Sequence, residues 1–237
     1  MFSGFAQWAE GLSLTFSAGR WEALFKNFPL LLSGLGTTIV VAILGLLLSL
    51  ALGIVFGVLS ASRNFVAKAL ARVYVEFFQN TPLMLQLVFL GFGLPIIWLK
   101  FGLVPATVVG VLGVGLYHGA YISEAVRAGI QSISKGQLEA SISQGMSYVQ
   151  AMRYVVIPQA LTVVLPPLTN QTVNLIKNTS VMLYISVPEL MYQAKSIQAA
   201  NYNPGPVYLT VIMIYFCLCF PLARLAKKLE DRAEEAR

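Results

Sequence analysis

The amino-acid sequence predicts an all-α integral membrane protein with about five transmembrane helices. Of its 237 residues, 57% are hydrophobic and only 11% are charged, whereas soluble domains carry roughly 25% charged residues. Several apolar runs reach the roughly 20 residues that a helix needs to cross a bilayer. A soluble helical protein with an unusually large core is the alternative, and the number of these runs argues against it.

Five apolar segments are predicted to span the membrane, within a transmembrane domain of residues 29–228. They cover residues 30–59, 73–99, 104–126, 155–176 and 207–226. Residues 1–28 place aromatic side chains among polar ones, which is typical of a segment that lies in the outer membrane interface. Residues 229–237 form a charged tail, which we expect in the cytoplasm.

The basic residues predict the orientation of the spans, because cytoplasmic loops are enriched in lysine and arginine. Eleven of the 16 basic residues lie between spans one and two, between spans three and four, or after span five, and four lie on the other side. We therefore expect the N-terminus outside the cell and the C-terminus in the cytoplasm. The charges are spread between apolar runs rather than massed on one face, which argues against nucleic acid as a partner.

One polar segment, residues 134–158, separates spans three and four. Ser134 and Ser147 each precede a glutamine by three residues, a capping-box pattern that predicts the start of a helix. Gly145 lies between them and suits the left-handed conformation in which many helices end. Pro158 prevents the second helix from continuing without a kink. The segment therefore predicts two short cytoplasmic helices joined at a bend, which we call the elbow, and which a partner can bind.

Pairs of glycines four residues apart predict close contacts between helices, because helices in lipid associate through close approach of their backbones. Gly53 and Gly57 form such a pair in span one, and Gly115 and Gly119 form another in span three. These contacts lie either within one subunit or between subunits. Five spans make a thin wall around a pathway, so we also expect a dimer, homomeric or heteromeric.

Between spans four and five the sequence predicts one more helix, on the outer side of the membrane. Ser186 precedes Glu189 by three residues, with Pro188 between them, which is a helix-start pattern. We expect this helix to run to about Ala200, before an Asn-Pro-Gly-Pro turn leads into span five.

Two polar clusters fall at membrane depth, where such groups usually face a protein interior or a water-filled cavity. The first, Gln79-Asn80-Thr81-Pro82, is expected to break span two, with Thr81 capping a new helix that starts at Pro82. The second, Lys177-Asn178-Thr179-Ser180, ends span four. A cation with three hydrogen-bonding side chains suits the carboxylate and amino groups of a free amino acid, and broken helices commonly build solute sites in transporters.

These polar residues also have structural interpretations, which the sequence leaves open. Lys177 can extend to the outer interface, and Asn80 can cap a helix. Glu76 and Glu124 lie near the cytoplasmic ends of their spans, as gating groups or as interface anchors. His118, the single histidine, is more often a hydrogen-bonded packing residue than a proton relay in such a setting.

The sequence carries no motif for covalent chemistry or for metal binding. It lacks the phosphate-binding loop, the Gly-x-Ser-x-Gly and His-Glu-x-x-His motifs, and any clustered set of histidines and cysteines. We therefore expect no catalytic residue, metal or cofactor in this chain. If ATP powers transport, a partner subunit hydrolyses it.

The elbow resembles the EAA loop of ABC-importer permease subunits, through Glu139-Ala140-Ser141, Gly145 and the Val-Val-Ile-Pro sequence that ends at Pro158. The flanking motifs are similar to the polar amino acid branch, which includes the histidine, glutamine and glutamate/aspartate systems. These motifs are Asn80-Thr81-Pro82, Tyr121-Ile122-Ser123-Glu124, Arg127-Ala128-Gly129-Ile130, Gly136-Gln137, Pro158-Gln159-Ala160 and Lys177-Asn178-Thr179-Ser180. The similarity runs from about residue 33 to residue 226.

The resemblance implies a type I ABC-importer permease fold with cytoplasmic coupling helices, in the bacterial cytoplasmic (inner) membrane. Its function would be the import of a polar amino acid, of the glutamate/aspartate or glutamine type. The implied partners are cytoplasmic ABC ATPases that use ATP, a second permease subunit that is identical or homologous, an extracytoplasmic amino-acid-binding protein and membrane lipid.

The resemblance also implies which residues couple the chain to the ATPase. The coupling residues would be Glu139, Ala140, Ser141, Gln144, Gly145 and Met146. The two polar clusters at membrane depth supply the expected pathway residues, which are Asn80, Thr81, Lys177, Asn178, Thr179 and Ser180. Two positions depart from the family pattern: Ser141 stands where alanine is usual, and Gln79 stands where many relatives have arginine, so no role of that arginine is carried over.

Two other functions remain as alternatives. A stand-alone secondary transporter or channel for small polar solutes would not need an elbow with two capped helices, and it usually has more spans. A non-transporting membrane scaffold predicts that substitutions at Asn80 or Lys177 leave solute uptake unchanged.

Overall fold

A computed structural model describes residues 11, 13–62, 64–97 and 104–235 of the protein. These residues form helices and no strand, which confirms the predicted all-α class. The helices are α1 (Ala18–Ala61), α2 (Phe65–Gln79), α3 (Leu83–Val88), α4 (Leu94–Ile97), α5 (Ala106–Ser132), α6 (Lys135–Ser143), α7 (Tyr148–Ala151), α8 (Ile157–Asn178), α9 (Leu190–Asn201) and α10 (Pro204–Glu235). A π turn, Phe89–Gly93, joins α3 to α4, and a second, Met152–Val156, joins α7 to α8.

Within the described residues, four continuous helical segments are long and apolar enough to cross a membrane. They are Ser13–Ala61, Ala106–Ser132, Tyr148–Ile185 and Pro204–Arg232. The bent pair made of α2 and the helix from Leu83 to Ile96 supplies a fifth span if it is counted as one. The prediction of about five transmembrane helices is therefore confirmed.

The first span is longer than the sequence predicted. Helix α1 begins at Ala18 and contains Pro29 in its interior, so the expected boundary at residue 28 does not coincide with a helix end. Trp21 and Phe28 pack with residues of α9 and α10, and this packing stabilises the added turns as a continuation of the span. Residues 1–10 and 12, with their share of the aromatic side chains, lie outside the described residues.

The two glycine pairs lie where α1 and α5 cross, within one subunit, as predicted for close helix contacts. A Cβ atom on Gly53 would lie 2.6 Å from Ile122 Cβ, and one on Gly57 would lie 2.8 Å from the Ser123 carbonyl oxygen. A Cβ atom on Gly119 would lie 3.1 Å from Leu52 Cβ. Because real Cβ atoms do not approach so closely, glycine is what allows the two backbones to pack here.

The largest buried cluster lies at the centre of the bundle and joins the spans to one another. It includes Val41 of α1, Leu87 of α3, Val114 of α5 and Leu175 of α8, all of them buried. The apolar residues on the outside of α1, α2 and α10 are exposed, as expected for helices in lipid. The bundle thus fixes the depth at which polar side chains of α5 and α8 meet.

Candidate functional site

The elbow consists of α6 and α7, joined at a tight bend between Gln144 and Ser147. Ser147 forms a complete capping box: its Oγ accepts from the Gln150 backbone N–H at 3.3 Å, and Gln150 Oε1 accepts from the Ser147 N–H at 2.8 Å. The capping box predicted at Ser134 does not form. Ser134 is the N-cap of α6, but its Oγ accepts from the Gly136 N–H at 3.3 Å, one residue earlier than a capping box requires.

Gly145 ends α6 in the left-handed conformation that the sequence predicted, with φ at 89°. Its backbone N–H donates to the Ile142 carbonyl at 2.9 Å, and the Met146 N–H donates to the Ser141 carbonyl at 3.2 Å. This pair of bonds is the Schellman motif, which satisfies carbonyls that the end of a helix leaves free. A Cβ atom at Gly145 would meet nothing within 4 Å, so the backbone angle alone requires glycine.

Most of the expected coupling residues are exposed on the elbow, and one is not. Glu139, Ala140, Gln144 and Gly145 are exposed, and Met146 is half-buried. Ser141 is buried, and its hydroxyl donates to the Gln137 carbonyl at 2.6 Å. Ser141 therefore faces into the chain, where a small residue is needed, rather than toward a partner.

Three exposed apolar side chains on the elbow were not singled out from the sequence. Ile142 is 45% exposed, Tyr148 is 46% exposed and Val149 is 72% exposed. The signal that could have found them is an apolar side chain within an otherwise polar segment. Exposed apolar groups beside exposed polar ones are typical of a surface that binds another protein.

The second elbow helix is not separate from span four, contrary to the sequence prediction. Helix α7 continues through the π turn Met152–Val156 into α8, and Tyr148–Ile185 forms one helical segment. Pro158 lacks an N–H and crowds the preceding turn of an α-helix. The wider π turn directly before it lets the helix continue, so the elbow is joined to span four without a break.

Span two breaks at the first polar cluster, as predicted, with an angle of 102° between its two halves. Asn80 is the C-cap of α2, and its Nδ2 donates to the Glu76 carbonyl at 2.8 Å. Thr81 was predicted to cap the next helix, and this is wrong: its hydroxyl donates back to the Phe77 carbonyl at 2.7 Å. Pro82 is the N-cap of α3, which begins at Leu83.

Gln86 bridges this break, and no pattern in the sequence distinguishes it from its neighbours. Its Nε2 lies 3.0 Å from the Phe78 carbonyl and 2.7 Å from Thr81 Oγ1, so it satisfies groups that the bend leaves free. Its Oε1 is buried and has no hydrogen-bond partner among the described residues. A buried amide oxygen without a partner is costly, so the break in span two is less well satisfied than the helices on either side.

The second cluster divides into two structural and two available side chains. The Thr179 hydroxyl is fully buried and donates to the Ile176 carbonyl at 2.7 Å, and the Ser180 hydroxyl donates to the Lys177 carbonyl at 2.7 Å. Asn178 is half-buried, and its Nδ2 lies 3.1 Å from His118 Nε2. Lys177 is exposed, and it forms no ion pair with any residue that the structure describes.

This cluster lies about halfway along two of the helices that pack around it. His118, which contacts Asn178, lies 12 residues after the start of the 27-residue helix α5, or about 18 Å along its axis. Lys177 also lies within electrostatic range of Cys219 in α10, which is 15 residues after the first residue of that helix. Both positions are therefore far from the ends of α5 and α10.

Glu76 and Glu124 line a cavity of about 420 Å³ between α2 and the C-terminal part of α5. Both carboxylates are paired on their own helices: Glu76 lies 3.8 Å from Arg72, and Glu124 Oε2 accepts from Arg127 Nε at 3.0 Å. The cavity wall includes Lys68 and reaches Gln79, next to the break in span two. It therefore extends from the break toward the elbow side of the bundle.

Glu189 has a buried carboxylate, and the sequence predicted only a helix-start role for this residue. It is itself the N-cap of α9, so the helix starts three residues later than the prediction with Ser186 as its cap. Glu189 Oε1 accepts from the Tyr192 N–H at 2.7 Å, and Oε2 accepts from the Met191 N–H at 2.8 Å and from the Tyr215 hydroxyl at 3.3 Å. Burial raises the pKa of Glu189 to about 7, although these hydrogen bonds oppose the shift.

Two residues with left-handed backbone conformations flank α9. Ser186 has φ at 60° and Tyr202 has φ at 47°, values that are uncommon for residues other than glycine. The Leu190 N–H donates to Thr38 Oγ1 of α1 at 3.1 Å. Helix α9 is therefore held on α1 and α10 by hydrogen bonds at its start.

No group of three or more His, Cys, Asp and Glu side chains that could hold a metal occurs among the described residues.

Comparison with known proteins gives a consistent result. Residues 53–235 match the family described as the inner membrane component of binding-protein-dependent transport systems. The chain is 38% identical to the probable glutamine ABC transporter permease protein GlnM of Bacillus subtilis, covering 90% of this chain and 97% of that protein. It is 34% identical to the glutamine transport system permease protein GlnP of Escherichia coli, covering 90% and 96%.

Solved structures agree with this assignment. The crystal structure of an amino acid ABC transporter with histidines matches with a TM-score of 0.80 and 32% identity, covering 88% of this chain and 96% of that one. The MetNI methionine ABC transporter matches with a TM-score of 0.68 at 19% identity, which supports the fold alone. These proteins are transport subunits rather than enzymes, and the family works with an ATPase and a substrate-binding protein. The chain belongs to the family of inner membrane components of binding-protein-dependent transport systems, and within it to the amino acid ABC importer permeases.

Proposed function

We propose that this chain carries a polar amino acid across the inner membrane through a site formed by Lys177 and Asn178. The observation that carries the proposal is the position of these side chains about halfway along α5 and α10. If these helices span the bilayer, that position is near its centre, where a cation without an ionic partner is costly unless it faces a polar cavity or a ligand. The ammonium group suits a carboxylate, and the amide suits the substrate's other polar groups. The interpretation of Lys177 as a residue of the outer interface fits this depth poorly.

The substrate that the comparisons favour is glutamine or a close relative. The names of two relatives, GlnM and GlnP, refer to glutamine, and the sequence motifs favour glutamine or glutamate/aspartate systems. Asn80 and Thr81, beside the break in span two, are the other side chains that we assign to this pathway, and both donate to nearby carbonyls, so their role there is structural. Within that pathway, Thr179 and Ser180 have structural roles, because both hydroxyls are bonded to nearby carbonyls.

We further propose that the elbow lies in the cytoplasm and transmits the movement of two ATPases to the spans. The exposed side chains of Glu139, Gln144, Ile142 and Val149 are available to such a partner. The continuous helix from Tyr148 to Ile185 connects that surface to Lys177 directly. The N-terminus would be extracytoplasmic. A second permease, identical or homologous, would complete the pathway together with this chain. An extracytoplasmic binding protein would deliver the substrate from the outer side.

The test is uptake in proteoliposomes that contain the permease, its ATPase and its binding protein. Labelled glutamine should accumulate only with ATP, and an ion gradient alone should give no uptake. Uptake driven by an ion gradient without the ATPase would instead establish the secondary-transporter alternative.

A single substitution tests the pathway itself. Lys177→Ala should reduce the uptake rate about tenfold or more, because a charge-assisted hydrogen bond contributes roughly 1.5–3 kcal/mol. Lys195→Ala is the matched control, because Lys195 is exposed on α9 away from the cluster. If an assembled Lys177→Ala complex transports as fast as the control, Lys177 does not contact the substrate.

A further inference from the structure

His118 makes two hydrogen bonds that join α5 to two points on α8. Its side chain is only 1% exposed. Its Nδ1 lies 2.9 Å from Gln171 Oε1, and its Nε2 lies 3.1 Å from Asn178 Nδ2. The ring is therefore held at both nitrogens, and Tyr117 lies against it with ring centroids 5.3 Å apart.

The two partners determine which ring nitrogen carries the proton. An amide oxygen can only accept a hydrogen bond, and an amide nitrogen can only donate one. A neutral imidazole has one N–H donor and one acceptor nitrogen. The arrangement is satisfied when Nδ1 carries the proton and donates to Gln171, and when Nε2 accepts from Asn178.

This tautomer also determines how Asn178 is oriented. Its Nδ2 is directed at the ring, so its Oδ1 must point away from His118. In the part of the chain that the structure describes, no hydrogen bond reaches this oxygen. The residue before it is Lys177, whose ammonium has no ionic partner there.

We propose that His118 is a positioning residue, which holds the Asn178 carbonyl toward the pathway as the acceptor for the α-ammonium group of the substrate. Lys177 then binds the α-carboxylate, so the pair recognises a zwitterion rather than a simple acid. This inference rests on the proposed function, because it assumes that Lys177 faces the pathway. A packing role alone would require a side chain of suitable size at position 118, but no particular tautomer.

The first test reads the tautomer of the wild-type ring directly. Because the chain has one histidine, the ¹⁵N NMR signals of the labelled complex that disappear in the His118→Gln variant belong to that ring. We expect a protonated Nδ1 and an unprotonated Nε2. The opposite tautomer would mean that both amides are reversed and that Asn178 presents its nitrogen to the pathway, which would overturn the proposal.

The second test measures recognition of the amino group. Binding of glutamine and of glutaramic acid, its analogue without the α-amino group, is compared in the permease–ATPase complex without the binding protein, which would impose its own selectivity. His118→Leu should reduce the preference for glutamine over the analogue by about tenfold or more, since a hydrogen bond to a charged group is lost. His118→Gln, whose amide can donate to Gln171 and accept from Asn178, should restore most of it.

The outcomes separate this inference from the proposed function. If Lys177→Ala leaves the binding of both compounds unchanged, the pathway assignment itself fails. If Lys177→Ala weakens both but His118→Leu leaves the preference for glutamine unchanged, only the positioning role fails. If the leucine variant does not assemble, the tautomer of the wild-type ring still decides.

Discussion

Replacement of Gly145 by valine should uncouple ATP hydrolysis from transport. Gly145 has φ at 89°, and for an L-residue a left-handed backbone costs roughly 1–2 kcal/mol, with β-branched residues at the upper end. A Cβ atom there would meet nothing within 4 Å, so the whole cost arises from the backbone. A cost of about 1–2 kcal/mol changes the ratio of bent to unbent elbow by roughly 5- to 30-fold.

The assay is the number of amino acid molecules imported per ATP hydrolysed, measured in proteoliposomes with the ATPase and the binding protein present. Gly145→Val should lower this ratio several-fold, because the two elbow helices no longer present one rigid surface. Hydrolysis by the ATPase should continue, since the substitution lies in another subunit. Gly145→Ala should fall between valine and wild type.

Gly145→Asn is the matched control, because asparagine tolerates the left-handed conformation better than other non-glycine residues. We expect it to retain most of the coupling, although its side chain is larger than that of alanine. If valine couples as well as glycine does, or if asparagine uncouples as strongly as valine, the bend at Gly145 is not what transmits the movement.

Three further predictions concern packing, pH and orientation. Gly53→Leu should lower the free energy of unfolding by about 1–3 kcal/mol through overpacking. Gly36→Leu on the same helix, where a Cβ atom meets nothing within 4 Å, should change it little. Equal melting temperatures for the two variants would contradict this. Burial raises the pKa of Glu189 from 4.5 to about 7, so the folded chain retains a proton that the unfolded chain releases, and the melting temperature should fall as the pH rises across this interval. Glu189→Gln should remove this pH dependence of the melting temperature. If the variant keeps the wild-type pH profile, Glu189 is not the group responsible. In a variant without its native cysteines, Gln144→Cys should react with an impermeant thiol reagent from the cytoplasmic side only, and labelling from outside would reverse the proposed orientation.

The features that the sequence predicted well are those that local chemistry determines. Gly145 and the Ser147 capping box depend on residues within three positions of one another, and the break before Pro82 depends on a missing backbone donor. The glycine pairs of α1 and α5 are also visible as a spacing in the sequence. Each of these patterns has few physical alternatives, and the structure contains all of them.

The features that the sequence did not predict depend on contacts between distant segments. His118 meets Asn178 across 60 residues, and Glu189 meets Tyr215 across 26. No local pattern distinguishes these pairs from side chains that face lipid. The continuity of α7 with α8 was also missed, because a proline favours a helix break locally, and the π turn that avoids the break has no clear signature in the sequence.

That continuity has a mechanical consequence. The 38-residue segment Tyr148–Ile185 is about 57 Å long. If the elbow binds the ATPases as proposed, this segment works as a lever between them and the polar groups around Asn178. A tilt of about 5° around its midpoint would shift each end by about 2.5 Å and Asn178 by about 1.5 Å, enough to make or break a hydrogen bond there. Small movements of the ATPase subunits would then be sufficient to open and close the pathway of the substrate.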